Sequence, residues 1–231
     1  MLKKWDDLPD FMRVDEVRPY WEILNKRRGQ LALKRCFDLV AALILLVILA
    51  IPMGIIAILI KRDSDGPVFY RQERVTTYGC RFRIHKFRTL VSNADKIGTA
   101  VTVGNDSRIT KVGAKLRGHR LDELPQVLDV IQGTMSFVGT RPEAVKYVER
   151  YKPEYNATLL MPAGITSETS IRYKDEDKLL NAADDVDNVY VEKVLPEKMK
   201  WNLESIRRFR LLREILTMFR TVFAVLGKDY E

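Results

Sequence analysis

The sequence predicts a mainly helical α/β protein, with a re-entrant membrane helix hairpin, a small cytoplasmic domain and amphipathic helices at the interface. Three observations predict it. Phe37 to Ile60 is an apolar run with Asp38 as its one ionisable residue. The stretch after it mixes short β-type runs with a helical stripe, and the C-terminal residues alternate apolar and arginine positions at helical spacing. With 231 residues, 46% of them hydrophobic, the chain can bury one core and hardly two large ones.

Residues 1–33 scatter Trp5, Phe11, Tyr20, Trp21 and Leu24 among charges, which suits short helices at a membrane interface, where aromatic belts lie. The membrane segment is expected over 34–62. As a straight helix, the apolar run would be about 36 Å long, enough to cross a hydrocarbon core. Its flanks argue against a simple crossing: Lys34 and Arg35 precede it, Lys61 and Arg62 follow it, and positive flanks stay in the cytoplasm. Pro52, with Gly54 close behind, removes a helical hydrogen bond and predicts a sharp kink. A helix-break-helix satisfies both facts, and a single-pass anchor kinked at the proline satisfies most of them. The run follows more than thirty residues of polar, aromatic and charged sequence and has no convincing small-residue cleavage site, so a cleavable leader is not expected.

A globular domain is expected over 63–200 and an amphipathic helix over 201–231. Val68 to Tyr70 and Phe82 to Phe87 have the character of strands, with a turn at Thr77 to Gly79 between them. In LPQVLDVIQG, Pro125 suits the first helical turn, Leu124, Val127, Leu128 and Ile131 make a stripe, and Gly133 can end the helix. From Trp201 to Leu226 one helix is expected. Its apolar face carries Phe209, Leu212, Leu216, Phe219 and Phe223 and its basic face Arg207, Arg210, Arg213 and Arg220; core packing and a membrane-surface role both fit it.

The formal charge of +8 suits an anionic partner, and it is concentrated: Lys61 to Arg120 holds 14 basic and 5 acidic residues. Two cysteines, Cys36 and Cys80, make no disulfide framework and fit a reducing compartment. His85 and His119 give no metal-finger spacing, and neither a Walker A pattern nor GxGxxG occurs. No recognisable DNA-reading or RNA-binding motif accompanies the charge, so nucleic acid is not an expected partner.

Chemistry is best looked for in RGHRLDELPQ, where Asp122 and Glu123 follow Arg117 and Arg120. Neighbouring helical residues diverge by about 100°, so the two acids cannot share a proton as a protease pair does, and two separate jobs fit better. One carboxylate can attack phosphorus while the other holds a magnesium ion, with arginines and the helix start on the phosphate oxygens. On spacing alone, the same pair could merely cap a helix.

In order along residues 34–166 stand KRCFDLVAALILLVILAIP, GPVFYRQERV, HKFRTL, LDELPQVLDVIQGTMSFVG, TRPE and PAGIT. Together these blocks resemble the bacterial sugar transferase family, the monotopic phosphoglycosyl transferases. The resemblance implies transfer of a sugar 1-phosphate from a UDP-sugar to polyprenyl (undecaprenyl) phosphate, opening surface-glycan synthesis at the cytoplasmic face of a bacterial inner membrane. It implies membrane lipid and downstream glycosyltransferases as partners and Mg2+ as cofactor. It implies Asp122 as nucleophile, Glu123 as its magnesium-associated partner and Lys86 as a basic residue beside them. Arg117, Arg120, Arg88, Arg141 and Glu143 would serve the substrate, as would Asp187 in the looser DNVYVEK. Lys86 and Arg88 read equally as the solvated face of a strand, and Arg141 as a structural ion-pair partner. The chain departs from the family's usual Gly-Asp-Met-Ser and Gly-Pro-Arg-Pro at Gly133-Thr134-Met135-Ser136 and Gly139-Thr140-Arg141-Pro142. It also reads PAGITSETSIRYKDED where relatives continue PGITG with a Trp, so the pocket wall differs. The competing class is a non-enzymatic membrane-anchored module that binds anionic lipid or a partner glycosyltransferase.

Overall fold

Leucine and alanine propagate a helix readily, and the β-branched Val and Ile among them lower its propensity only slightly. The apolar run accordingly lies in the longest element among the described residues. A computed structural model describes residues 2–92, 94, 107–172 and 185–225. After 3-10 turns at Trp5–Asp7 and Asp10–Met12 come α1 (Arg18–Asn25) and α2 (Arg28–Asp63). Then follow strands β1 (Phe69–Val75) and β2 (Arg81–Phe87), helices α3 (Lys111–Gly118) and α4 (Gln126–Gln132), and β3 (Met135–Val138). Helix α5 (Val145–Val148), a 3-10 stretch Pro153–Leu160, β4 (Ala163–Thr166) and α6 (Glu168–Arg172) complete the middle of the chain. Last come α7 (Val186–Val189), a π-helical turn Tyr190–Val194, α8 (Leu195–Arg207) and α9 (Leu211–Val225). The expected α/β class with mostly helix is what forms, and its sheets are two separate pairs: β1 antiparallel to β2, and β3 parallel to β4.

Helix α2 starts before the apolar run and passes through Pro52 as one element, so the break expected there does not divide it into two helices. Its sides differ sharply. Asp38, Ala42, Met53, Ile56 and Ile60 are buried on one stripe, and Leu46 and Leu49 pack at its middle. Val47, Ile48, Ile51, Ile55 and Ile58 are exposed on the other side. Only 11% of its most apolar window is buried, so most of that window faces away from the rest of the chain, and it is long and apolar enough to cross a membrane. The buried stripe runs from one end of the helix to the other: Ala42 packs with Val127, Val130 and Met135, while Ile56 and Ile60 pack with Phe87 and Leu116.

The flanking cations serve the fold itself. Lys34 is 5% exposed and pairs with Glu214 at 3.0 Å, with Asp38 3.8 Å away. Asp38 in turn accepts from the Ser136 hydroxyl at 2.7 Å. Arg35 donates to the carbonyls of Val130 and Ile131 at 2.7 and 3.1 Å, satisfying the free end of α4. Gly133 ends that helix at φ 85°, a left-handed position that suits glycine, as its place in the sequence predicts. The buried face of α4 comprises Gln126, Val127, Asp129 and Val130, one step round from the expected stripe, because Asp129 is drawn inward by His85.

Two expectations are corrected. Residues 1–33 do form short helices, yet Met12, Val17, Tyr20 and Leu24 are buried in a core shared with Leu195, Met199, Leu203 and Ile206 of α8. The single C-terminal helix is two: α8 stops at Arg207 and α9 starts at Leu211, with Phe209 buried at the corner. Leu226 lies outside the described residues.

The parallel pair β3–β4 brings Gly139 and Gly164 back to back, with Gly139 N donating to Thr166 O at 3.0 Å and Gly164 N to Thr140 O at 2.8 Å. A methyl group at Gly164 would stand 2.2 Å from Gly139 N, against backbone that cannot swing aside. Gly164→Ala is therefore expected to destabilise the protein by roughly 1–3 kcal/mol, the range of overpacked cores, read as a lower melting temperature in detergent. The loop carrying Arg141 follows directly on Gly139 and should shift with it.

Candidate active site

Strand β2 carries His85 and Lys86 to opposite faces. His85 is buried: its backbone N–H reaches Asp129 Oδ2 at 2.9 Å and its Nδ1 lies 2.7 Å from Asp129 Oδ1. This pins β2 to α4, the helix that follows the acid pair, so Lys86 is held at a fixed height over the turn Leu121–Glu123. That turn is a 3-10 helix entered through Arg120, whose φ of 54° is a left-handed conformation uncommon for a non-glycine residue. The capping alternative has no counterpart in the geometry, since no side chain caps α4 and Pro125 occupies its N-cap position.

The two carboxylates have different surroundings. Glu123 Oε1 accepts from Lys86 Nζ at 2.8 Å and from Arg141 Nη2 at 2.5 Å, and Arg141 Nη1 is 3.3 Å from Oε2. Burial opposes ionisation of Glu123, but Arg141 and Lys86 outweigh it and hold the carboxyl far below the usual range. Among the described residues, no side chain hydrogen-bonds Asp122. Burial raises its pKa first and the charge of Glu123 second, while Lys86 and Arg117 pull the other way. Burial also lowers the Lys86 pKa, against the pull of Glu123. One acid is thus clamped by two cations that favour its charged form, and its neighbour is half-buried without a side-chain partner among the described residues.

The remaining sequence candidates divide. Arg117, at the end of α3, lies near enough to bias Asp122 and has no ion pair of its own among the described residues. Arg120 is exposed beside it. Arg88 is drawn elsewhere: it is buried and donates to the carbonyls of Asp65 and Ser64 at 2.6 and 2.8 Å, closing the turn after α2. Glu143 accepts from the Tyr190 hydroxyl at 2.6 Å and pairs with Lys198 at 3.2 Å, in a buried network behind Arg141. Asp187 takes Lys146 at 2.6 Å and the Tyr147 hydroxyl at 2.6 Å, on the outer side of that network. Tyr147 and Tyr190 stack with centroids 4.4 Å apart. Neither Glu143 nor Asp187 contacts the acid pair in any described hydrogen bond.

Sequence reasoning missed Asp129, Tyr190 and Lys198. Asp129 had a signal, being an acid on the inner side of an apolar helix; Tyr190 and Lys198 had none. For a metal, no group of three His, Cys, Asp or Glu side chains occurs among the described residues. Glu123, whose oxygens already accept from Lys86 and Arg141, is the residue that would hold magnesium, which commonly takes one or two carboxylates and completes its shell with substrate phosphates and water.

A long apolar helix exposed along one side is thus set beside a paired-acid site ringed by cations. The chain belongs to the bacterial sugar transferase family, whose model matches residues 29–228. It is 32% identical over 197 residues to the UDP-N-acetylgalactosamine-undecaprenyl-phosphate N-acetylgalactosaminephosphotransferase of Aeromonas hydrophila, covering 84% of this chain and 44% of that one. It is 35% identical over 196 residues to the UDP-glucose:undecaprenyl-phosphate glucose-1-phosphate transferase of Escherichia coli (strain K12), covering 83% and 39%. With a protein of the same description from Caulobacter vibrioides it shares 33% over 199 residues, covering 85% and 70%. The chain spans less than half the length of the first two relatives.

The clamp sets a contrast in stability. Glu123, with its pKa depressed by folding, contributes stability that is present above the ordinary value near 4.5 and is lost as pH falls below it. Glu123→Gln leaves Lys86 and Arg141 facing each other and should cost roughly 1–3 kcal/mol at pH 7, less than a fully buried pair because Arg141 is partly solvated. It should also flatten the loss of stability below pH 4.5. Asp122→Asn should leave stability unchanged or raise it slightly, since folding disfavours the Asp122 charge. Urea unfolding of both variants between pH 7 and 3 checks this, and equal losses at neutral pH would refute the division.

Proposed function

We propose that the chain is a phosphoglycosyl transferase that moves a sugar 1-phosphate from a UDP-sugar to undecaprenyl phosphate through a covalent intermediate on Asp122. The observation that carries this reading is the asymmetry of the acid pair: Glu123 is held by Lys86 and Arg141, while among the described residues the Asp122 carboxylate accepts from no side chain and is available to attack. The names of the relatives supply the substrate classes.

In the first step an Asp122 oxygen attacks the phosphorus that bears the sugar. The bond from that phosphorus to the bridging oxygen breaks, and UMP leaves with the electron pair. Arg117 and Arg120 are placed to take phosphate oxygens. Lys86 and Arg141 keep Glu123 ionised and fix the turn, so that Asp122 meets the phosphorus in line. In the second step a phosphate oxygen of undecaprenyl phosphate attacks the same phosphorus and frees the Asp122 carboxylate. Magnesium, held by Glu123 with the donor's phosphates, would neutralise the charge of the leaving group. Glu143 and Asp187 are tied instead to Tyr190 and Tyr147, which pack on each other, and take no part in these steps.

For the membrane we infer a re-entrant α2 with both ends on the cytoplasmic side. A stripe of α2 packs on the globular body along its whole apolar length, and a body with a charged surface cannot follow a helix through hydrocarbon. Pro52, which cannot donate to the Ile48 carbonyl, is where bending costs least. Single cysteines at Gln30 and Asp65, in a background lacking Cys36 and Cys80, should both resist an impermeant maleimide in intact cells and both react after permeabilisation. Labelling at one end only from outside would establish a spanning helix.

For the chemistry, Asp122→Asn should abolish trapping of sugar phosphate on the protein in intact-mass spectra. The wild type with donor and magnesium alone should release one UMP per enzyme. The acid limb of this burst should lie above the ordinary aspartate value of 3.8, because the carboxylate form attacks and its pKa is raised. Turnover with acceptor but no adduct and no burst without it would favour direct transfer through a ternary complex.

A further inference from the structure

Where α8 turns into α9, the corner Arg208–Arg210 faces the residues just before α2. Between them lies an open groove of about 520 Å3 whose walls include Arg27, Arg207, Arg208, Arg210 and Arg213. Two carboxylates answer these five guanidiniums: Glu204 pairs with Arg207 and Arg208, and Glu154 with Arg207. Arg27 donates to the Phe209 carbonyl and so holds the corner. Arg210 and Arg213 are exposed, and among the described residues neither side chain has a hydrogen bond or ion pair. The groove therefore carries an uncompensated positive charge, and it is large enough for a small headgroup.

Its depth follows from the packing of α9 on α2. Leu211 N donates to Gln30 Oε1 at 3.2 Å, Glu214 meets Lys34 at 3.0 Å, and Met218 packs in the cluster that contains Ala42. The two helices thus run side by side in the same direction. This register sets Arg208 to Arg213 level with residues 27–34, one or two turns before the apolar run begins at Phe37. Along the same helix, Leu212, Leu216, Phe219 and Phe223 are exposed, at 81%, 49%, 53% and 38%, beside the lipid-facing side of α2. Guanidinium followed by apolar side chains is the order in which a phospholipid presents phosphate and acyl chain.

We propose that this groove binds the phosphate of an anionic phospholipid, with Arg210 and Arg213 on its oxygens and Leu212 and Leu216 against its acyl chains. Arginine suits the task, since its planar fork takes two oxygens of one phosphate. The groove is separate from the acid pair: Leu116 of α3 packs on Ile56 and Ile60, and Val112 N–H reaches Asp63, all at the far end of α2. The inference rests on the membrane embedding argued above.

The test uses the full chain in detergent micelles doped equally with phosphatidylglycerol and phosphatidylcholine, with retained lipid counted by native mass spectrometry. The wild type should retain phosphatidylglycerol selectively. R210Q/R213Q should reduce that preference by roughly tenfold or more, at about one surface charge's attraction per arginine. K152Q/K200Q, which removes two exposed lysines outside the groove, should leave it intact. The proposal is overturned if the arginine variant keeps the preference or if the lysine variant loses it equally. It is also overturned if millimolar inorganic phosphate or undecaprenyl phosphate displaces the lipid, for the groove would then take another phosphate. Flotation on pure phosphatidylcholine vesicles separates the two readings: a wild type that fails to float refutes the embedding itself, whereas one that floats yet retains both lipids alike refutes only the groove.

Discussion

Burying Lys34 and Asp38 at the root of an apolar helix costs several kcal/mol per ion unless each finds a partner, and the partners come from distant parts of the chain. Glu214 of α9 meets Lys34, and Ser136 of β3 meets Asp38. One cluster of polar groups therefore fixes the long apolar helix to the C-terminal helix and to the parallel strand pair. Everything that places the acid pair hangs from these elements: β3 leads into Gly139 and Arg141, and α4 is held at its end by Arg35 from the next position of α2.

The site itself divides labour between two adjacent carboxylates by giving them unlike neighbours. Two cations on Glu123 make it a fixed charge, and that fixed charge helps to raise the pKa of Asp122. The His85–Asp129 pair, buried on the opposite face of β2, keeps Lys86 at the height the clamp needs. Glu143, two residues after Arg141, is itself held by Tyr190 and Lys198.

Much of this was legible in the sequence, for local reasons. Composition alone marks α2, the β1–β2 hairpin follows from short apolar runs about a turn, and Gly133 marks the end of α4. The acid pair and its basic setting could be found as ordered blocks of a family. What was not legible depends on partners far along the chain. Lys34 and Arg35 read as flanking charges because nothing near them shows that Glu214 and the carbonyls of α4 will claim them. Arg88 reads as a site residue until Ser64 and Asp65 are seen to hold it. The corner at Arg208–Arg210 is hidden because helical periodicity continues through Phe209, which is buried at the break. Met12, Val17 and Leu24 lie among charges that mask their place in the core.

The parallel seating of α9 on α2 has a consequence for the order of biosynthesis. Gln30 and Leu211 are 181 residues apart. At about 5–20 residues per second, a ribosome needs roughly 10–40 s to supply the second helix after the first. During that interval Lys34 has Asp38 but lacks Glu214, and Asp38 gains Ser136 before the C-terminal helix is made. The C-terminal helix is thus the last of these partners to be made, a late latch on the polar cluster at the root of α2.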